Sequence, residues 1–415
     1  MNLSVLTKNI VPLNILVKRA KGVRFWDYNG KEYLDFSSQT LNLNLGNSPE
    51  LAKKAFLEQF KKFTFLSTRF TSSILVELAN ELVHIAPKGL NKVNLKLTNG
   101  SDANESAFKR VRAYRKKPYI VSFYWSHLGE SCETLSASGK HFNVSKFSGS
   151  KNFIFVDNPF MLKSKGHSLE SSENQVLKQL QLMFRERNDI ATVIIEPIMV
   201  NAGGFIFSKR FLKELRNICS EYDVSLIFDE IQTAFGWLGT FFASDFFGVT
   251  PDIITLGKGL SGGFPLAAII MKEEYDVINY GEDEYTYGGH PISCAVALET
   301  IRFLENSNIF SEVMERSSLL KKLLLEMAKT NKEYIKEVRI CGLIASLEFY
   351  QNKHKDFANY VYKTALDNGL VLRKSSNGLR PSLVLKPPLI VSITEIERAM
   401  DLLSESIHKV IKTLQ

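Results

Sequence analysis

The chain has 415 residues, of which 45% are hydrophobic and 23% are charged, a composition typical of globular proteins that build a large core in two domains. No apolar run approaches the ~18 residues of a membrane span, and the first residues lack the charged-then-apolar order of a secretory signal. The net charge of +8 comes from Lys and Arg that are mixed with Asp and Glu throughout, so we expect a solvated basic surface and not a nucleic-acid interface.

The four cysteines, Cys132, Cys219, Cys294 and Cys341, are far apart and form no C-x-x-C pair. They show neither the dense cysteine pattern of a disulfide framework nor the paired spacing of a zinc site. We therefore expect reduced thiols in a cytoplasmic protein and no metal.

The N-terminal segment contains two hairpin-like pieces, 22–28 and 32–36, joined by Asn29-Gly30. An Asn-Gly pair between two β-prone runs predicts a tight turn. We expect residues 1–50 to pack on the smaller of two domains and not to form a third.

Residues 51–296 alternate short apolar runs with amphipathic segments, which predicts a large α/β domain. Strands are predicted at 93–98, 120–123, 191–196, 225–229, 253–256 and 267–271. Helices are predicted at 102–114, 174–187 and 209–222. This alternation indicates a parallel sheet with both faces covered, in which ligands bind at the carboxyl ends of the strands.

From about residue 297 the pattern changes to long amphipathic helices and short strands, which predicts a small α+β domain over 297–415. Helices are predicted at 297–306, 311–329 and 394–411, and strands at 343–350 and 383–385.

Two strand-like runs in the large domain each end near a charged residue. Asp229 closes the run 225–229, and Lys258 follows the run 253–256, at a distance of 258 − 229 = 29 residues. Lys258 lies between Gly257 and Gly259. A lysine amine that forms a Schiff base and a carboxylate that pairs with a protonated ring nitrogen are the two groups that pyridoxal phosphate requires.

A third motif, NGSDANE at 99–105, follows a strand and opens a helix. Gly100 permits a tight turn, and the N–H groups of Ser101 and Asp102 would be free to bind a phosphate at the helix start. Taken alone, each motif has a structural alternative. The turn could be an ordinary N-cap, Lys258 a surface lysine, Asp229 a capping residue and Glu196-Pro197 a structural corner. The order and strand context of the motifs favour a single site.

From about residue 22 to 411 the chain resembles the class III pyridoxal-phosphate aminotransferases, the family of ornithine, 4-aminobutyrate and diaminopelargonate aminotransferases. The most specific match is FDEIQTAFGWLG…PDIITLGKGLSGGFPLAA at 228–268. Supporting matches are NGSDANESA at 99–107, IIEP at 194–197, TYGGHP at 286–291 and KPPLIV at 386–391. The resemblance implies fold type I, with a central, mostly parallel seven-stranded sheet in the large domain, a small domain, and a homodimer.

The resemblance also implies roles for individual residues. Lys258 is similar to the Schiff-base lysine, and Asp229 to the partner of the ring nitrogen. The remaining cofactor contacts are carried over from the matching motifs: Gln232 to the phenolic oxygen, Gly100 and Ser101 to the phosphate, Thr286 to the phosphate of the partner subunit, His127 on the ring face, and Glu196 within the IIEP motif.

The chain departs from the family pattern at several positions that bear on substrate choice. The ring-stacking position, usually aromatic before His-Gly, is His127 in His127-Leu128-Gly129. Ornithine- and aminobutyrate-type members carry a glutamate where this chain has Asn201. The motifs usually read GFGRTG and GHxHP are here AFGWLG at 234–239 and GNSP at 46–49. These changes argue against a standard ornithine or aminobutyrate enzyme.

Arg380-Pro381 lies shortly before Pro387-Pro388. In diaminopelargonate-like members an arginine-proline in this region binds a substrate carboxylate, a task that suits a guanidinium fork. The spacing to the prolines is shorter here, and an exposed loop arginine is the alternative.

The resemblance implies transfer of an amino group from an amine or amino acid to a keto or aldehyde acceptor, with pyridoxal 5'-phosphate as cofactor. A pyridoxal-phosphate isomerase or lyase on the same scaffold is the alternative activity, since fold alone does not decide the reaction. A non-catalytic cofactor-binding regulator is a third class. The Lys258/Asp229 pair and the lack of a recognisable DNA-binding segment in the sequence argue against it.

Overall fold

The computed structural model describes residues 13, 15–139, 149–351, 356–375 and 380–414. The first ten residues, on which the expectation about a secretory signal rests, lie outside this range. Among the described helices, none combines the length and apolar character that crossing a membrane requires.

The strands alternate with helices through the middle of the chain. In chain order the strands are β1 (Val17–Lys21), β2 (Arg24–Asp27), β3 (Glu32–Asp35), β4 (Lys92–Leu97), β5 (Tyr119–Phe123), β6 (Phe153–Val156), β7 (Ile190–Ile195), β8 (Ile198–Met199), β9 (Phe205–Ile206), β10 (Ser225–Asp229), β11 (Ile253–Leu256), β12 (Ala267–Met271), β13 (Ile335–Cys341), β14 (Ile344–Phe349), β15 (Leu370–Val371), β16 (Arg373–Lys374) and β17 (Ser382–Leu385).

The α-helices are α1 (Ser38–Leu41), α2 (Glu50–Phe60), α3 (Ser73–Ile85), α4 (Gly100–Arg115), α5 (Cys132–Ala137), α6 (Pro159–Lys163), α7 (Leu169–Glu186), α8 (Val200–Gly203), α9 (Lys209–Glu221), α10 (Ala243–Phe247), α11 (Pro291–Asn306), α12 (Ile309–Thr330), α13 (Phe357–Asp367) and α14 (Ile393–Leu414). Short 3-10 turns lie at Lys258–Leu260 and Glu273–Tyr275.

The central sheet has seven strands in the order β4-β12-β11-β10-β7-β5-β6. Strand β12 runs antiparallel to both of its neighbours, β11 and β4. The pairs β10–β11, β10–β7, β5–β7 and β5–β6 are parallel. The predicted mostly parallel sheet of fold type I is therefore confirmed.

Both faces of this sheet are buried. Successive side chains of a strand point to opposite faces, so each strand contributes residues to the core on either side. In β10, Ile227 packs with Ala103 and Phe108 of α4 on one face. Its neighbours Leu226 and Phe228 belong to the larger core on the other face. This two-sided burial explains why the central strands read as continuous apolar runs in the sequence.

Two smaller four-stranded sheets lie outside the large one. Strands β13, β14, β17 and β16 form one, and β1, β2, β3 and β15 form the other. The second sheet joins the start of the chain to its C-terminal part, because β3 pairs in parallel with β15 through Leu34 and Leu370. The division into residues 1–50, 51–296 and 297–415 stays a prediction.

Candidate active site

A cavity of about 400 Å³ opens where the parallel strands of the large sheet end. Six of the predicted site residues line it: Gly100, Ser101, His127, Asp229, Gln232 and Lys258. These residues follow β4, β5, β10 and β11, and parallel strands present their carboxyl ends at one edge of a sheet. The sheet topology therefore brings together residues that lie far apart in the sequence.

Lys258 lies in a tight turn directly after β11. Its backbone is left-handed, with φ = 40°, a conformation that a lysine adopts only where the surroundings impose it. The neighbouring Gly259 has no room for a side chain, since a Cβ there would lie 2.8 Å from Cζ3 of the buried Trp237 ring. The Trp237 ring thus packs against one side of the turn, and Lys258 lines the cavity.

Asp229 is the last residue of β10 and is only 4% exposed. Its Oδ2 accepts a hydrogen bond of 2.8 Å from Nδ2 of Asn104, and its Oδ1 accepts one of 3.0 Å from the N–H of Ile231. Burial raises the pKa of Asp229 to about 6, and these two hydrogen bonds and the charge of Lys258 oppose that shift. A cation bound beside this carboxylate would be strongly favoured.

Gln232 lies one turn beyond Asp229 and is 4% exposed. Within the described part of the chain, neither its amide oxygen nor its amide nitrogen has a hydrogen-bond partner. A buried amide without partners costs free energy, so a polar ligand in this cavity would be expected to supply them. These three side chains suit the groups of pyridoxal phosphate: the Gln232 amide suits the phenolic oxygen, the Asp229 carboxylate the ring nitrogen, and the Lys258 amine the aldehyde.

The N-terminus of α4 differs from the sequence expectation. The N–H groups of Ser101 and Asp102 are not free, because both donate to Oδ1 of Asn99, at 2.9 and 3.2 Å. Asn99 is thus the N-cap of α4, which agrees with the alternative interpretation of this motif as an ordinary helix start. Gly100 packs so closely on Ile231 that a Cβ would meet its Cδ1 at 2.8 Å. Phosphate binding by Gly100 and Ser101 stays a prediction.

Glu196 does not line the cavity but supports the loop that does. It follows β7, is 4% exposed, and its Oε1 accepts a hydrogen bond of 2.8 Å from the N–H of His127. The His127 side chain lines the cavity with its Nδ1 at 3.7 Å from Oε1 of Glu130. Glu196 therefore sets the position of His127, whose ring-stacking role stays a prediction.

Two predicted residues lie away from this cavity. Thr286 is exposed in the loop before α11. Arg380 lines a second cavity of about 440 Å³, where its guanidinium carbon lies 4.7 Å from the Trp125 ring centroid and its Nη1 3.9 Å from Oε1 of Glu348. The structure thus does not bring Arg380 or Thr286 together with the other site residues in one protomer.

Sequence reasoning missed several residues of the site. Thr40 and Asn42 reach the cavity from the N-terminal segment, and 263–266 form another part of its wall. Asn104 orients Asp229 and also donates to the Leu128 carbonyl at 2.7 Å. A signal existed for Asn104, which lies one helical turn after Gly100 within the NGSDANESA motif, and for 263–266, which lie within the motif at 228–268, whereas no motif marked Thr40 or Asn42.

Replacing Asp229 with Asn should stabilise the cofactor-free protein at high pH. The pKa of Asp229 in the fold, about 6, lies above its ordinary value of 3.8. Burying the charged form therefore destabilises the fold above about pH 6, and this penalty disappears as pH falls through 6 towards 3.8. Asp229→Asn should raise the free energy of unfolding by on the order of 3 kcal/mol at about pH 8 and by much less at about pH 4.

Denaturant unfolding of the two cofactor-free proteins across this pH range measures the difference. Asp401→Asn, which changes an exposed carboxylate on α14, is the control. A stability difference that does not vary with pH would contradict the burial of a charged Asp229.

Comparison with known proteins identifies the family and the fold. The aminotransferase class-III family model matches residues 5–407. The acetylornithine/succinyldiaminopimelate aminotransferase of Buchnera aphidicola (subsp. Acyrthosiphon pisum) is 31% identical over 403 residues, which cover 94% of this chain and 93% of that protein. The 5-aminovalerate aminotransferase of Pseudomonas aeruginosa is 30% identical over 401 residues, with 94% and 93% coverage.

A solved structure agrees with these relatives. The taurine:2-oxoglutarate aminotransferase of Bifidobacterium kashiwanohense, in complex with pyridoxal phosphate and glutamate, superposes with a TM-score of 0.91 at 25% identity, covering 99% of this chain and 97% of that one. The predictions of family, cofactor and reaction class are confirmed. The chain belongs to the class III aminotransferases, enzymes that transfer amino groups with pyridoxal 5'-phosphate.

Proposed function

We propose that Lys258, Asp229 and Gln232 carry out amino transfer from an amine or amino-acid donor to a keto or aldehyde acceptor. The observation that supports this most directly is their position on one cavity wall at the ends of β10 and β11. When bound, pyridoxal phosphate supplies an aldehyde that links covalently to amines and a ring that withdraws electrons from the linked carbon.

The protein's residues have distinct tasks in this proposal. The Lys258 amine would hold the cofactor covalently at rest and would move a proton to and from the reacting carbon as base and acid. The Asp229 carboxylate would pair with the protonated ring nitrogen, which would relieve the cost of burying Asp229 alone. Gln232 would hold the phenolic oxygen, and Gly100 and Ser101 the phosphate.

The donor is proposed to be a primary amine at the end of a carbon chain. The relatives named above are named for acetylornithine, succinyldiaminopimelate and 5-aminovalerate, and in the first and the last of these the free amine lies at the end of a carbon chain. Asn201 stands where ornithine- and aminobutyrate-type members carry glutamate, and for this reason the substrate is proposed to differ from theirs.

Lys258→Ala should abolish turnover and the covalent link to the cofactor while leaving the fold intact, because no other amine in the described lining replaces it. Borohydride reduction followed by peptide mass spectrometry should find labelled cofactor on Lys258 in the wild type and in the exposed-site control Lys165→Ala. A reducible bond that persists in Lys258→Ala would refute the assignment. Formation of pyridoxamine phosphate from a donor amine separates transfer from isomerisation or elimination.

We further propose that the active unit is a homodimer in which Thr286 completes the phosphate site of the partner subunit. Support comes from four exposed aromatic side chains, of which Tyr287 directly follows Thr286, since soluble monomers rarely expose large apolar patches. These are Phe60 (53% exposed), Phe65 (43%), Phe70 (65%) and Tyr287 (63%). Phe65 and Tyr287 are in ring contact at 5.8 Å.

Phe70→Glu should weaken this dimer and, with it, retention of the cofactor, because a charge in an apolar interface loses its hydration. Sedimentation over a dilution series and the visible absorbance of bound cofactor measure both effects. Tyr360→Glu, a similar change at a 45% exposed aromatic on α13, is the control. A fully active monomeric wild type would rule out the shared site.

A cytoplasmic location is proposed as well. All four cysteines are free, and three of them are buried. Free thiols in this number are typical of proteins in a reducing compartment.

Arg380 is proposed to bind the carboxylate of a substrate after leaving the conformation in which it stacks on Trp125. Its Nε is buried without a hydrogen-bond partner among the described residues, so that stacking leaves part of its donor capacity unused. Loss of a charge-assisted pair costs roughly 1.5–3 kcal/mol.

Arg380→Ala should therefore lower kcat/KM for acidic donors or acceptors by about 10–100-fold and spare amines without a carboxylate. Single-turnover rates with both donor types make this comparison, with Arg398→Ala, an exposed arginine on α14, as the control. Equal losses for both donor types would contradict the role.

A further inference from the structure

One buried lysine has no part in the chemistry described above. Lys386 directly follows β17, and its side chain is 0% exposed. Its Nζ donates a hydrogen bond of 2.9 Å to the carbonyl of Leu41 and lies 3.3 Å from the centroid of the Trp237 ring. Because burial removes the hydration of an amine, a lysine in such a place needs compensating partners. Its two contacts are with residues that lie next to two parts of the cavity lining, Leu41 between Thr40 and Asn42, and Trp237 against the turn of Lys258.

The first contact is with the loop at 36–45, which includes α1, a four-residue element whose backbone is not regularly helical at Gln39 and Thr40. Besides the Nζ bond to Leu41, the N–H of Lys386 donates to the carbonyl of Phe36 at 2.8 Å, and its carbonyl accepts a bond of 2.6 Å from Oγ of Ser38. Three groups of a single residue thus bind one short stretch of chain.

This loop is strained and forms part of the site. Ser38, Gln39 and Leu41 have left-handed φ values of 45°, 61° and 64°. Non-glycine residues keep such angles only where neighbouring groups fix them. Thr40 and Asn42 of the same loop line the cavity.

The second contact is with Trp237, which packs against the turn that carries Lys258. Trp237 is fully buried, and its Nε1 donates to the carbonyl of Pro387 at 3.0 Å. Its ring crowds Gly259, the residue after Lys258, so closely that no Cβ would fit there. Lys386 therefore contacts the tryptophan that supports the Lys258 turn.

We propose that Lys386 is a positioning residue, which fixes the loop carrying Thr40 and Asn42 relative to the Lys258 turn and so sets the width of the substrate side of the cavity. The inference rests on the proposed function only in taking this cavity as the binding site of the amino substrate. The pKa of Lys386 lies well below its ordinary range, mainly because the amine is buried and also because of the positive charge of Lys258. The neutral amine is favoured as a result, and its N–H groups suit both the carbonyl and the ring face.

Lys386→Met tests this role, because methionine is similar in shape and lacks the N–H donors. In the cofactor-free protein, amide hydrogen exchange at 36–45 should become about 10-fold faster or more, while α7 stays unchanged. In the loaded enzyme, KM for the amine donor should rise about 10-fold, with kcat within about threefold of wild type. Lys409→Met, at an exposed lysine of α14, is the control and should change neither value.

Unchanged exchange at 36–45 together with an unchanged KM overturns the proposal. Faster exchange throughout, including α7, or a fall in kcat at constant KM also overturns it, because either result shows a general structural role. If Lys386→Met does not fold, Ser38→Ala tests whether the contacts of Lys386 fix the loop at 36–45. It removes only the Ser38 bond to the Lys386 carbonyl and should raise exchange at 36–45 and KM in the same direction.

The exchange measurement also separates this inference from the proposed function. It needs neither cofactor nor turnover, so a protein that transfers no amino group still gives a decisive result. Intact amino transfer with unchanged loop exchange in the variant removes the inference alone.

Discussion

The site depends on one buried negative charge. Asp229 lies at the end of a strand whose neighbours on both sides are themselves buried, so water cannot stabilise its carboxylate. Asn104 and the Ile231 amide offset only part of this cost. In the proposed function, a cofactor ring protonated at its nitrogen would offer a compensating charge, which would link cofactor binding to the stability of this region. The parallel sheet is what places a carboxylate there, and the helices on both of its faces keep it dry.

The large sheet could be predicted well because its strands are buried on both faces. Strands β10, β11 and β12 were predicted with the bounds that the structure has, and β4, β5 and β7 within one residue. Their apolar runs are short and uninterrupted, and turn residues limit them. The positions of Lys258 and Asp229 at strand ends followed from the same pattern, which is why the centre of the site could be inferred from the chain alone.

The failures have physical reasons as well. Strand β13 alternates charged with apolar residues and gives no continuous apolar signal, whereas the edge strand β6 was not predicted although its sequence, FIFV, is wholly apolar. The loop at 36–45 carries its left-handed backbone without glycine, and nothing in its composition indicates such a conformation. Contacts such as that of Lys386 with Trp237 join residues 149 positions apart (386 − 237), a separation that local patterns do not report.

The hydrogen bonds between Lys386 and the loop at 36–45 have a consequence for synthesis on the ribosome. The loop that contributes Thr40 and Asn42 is made early, but its hydrogen-bond partners around Lys386 are made 386 − 36 = 350 residues after Phe36. At roughly 5–20 residues per second, about 20–70 s of translation separate the two. A nascent chain can thus complete the large sheet through β12 while its substrate cavity still lacks a wall. The hydrogen bonds that fix the wall with Thr40 and Asn42 can therefore form only after residue 386 has left the ribosome.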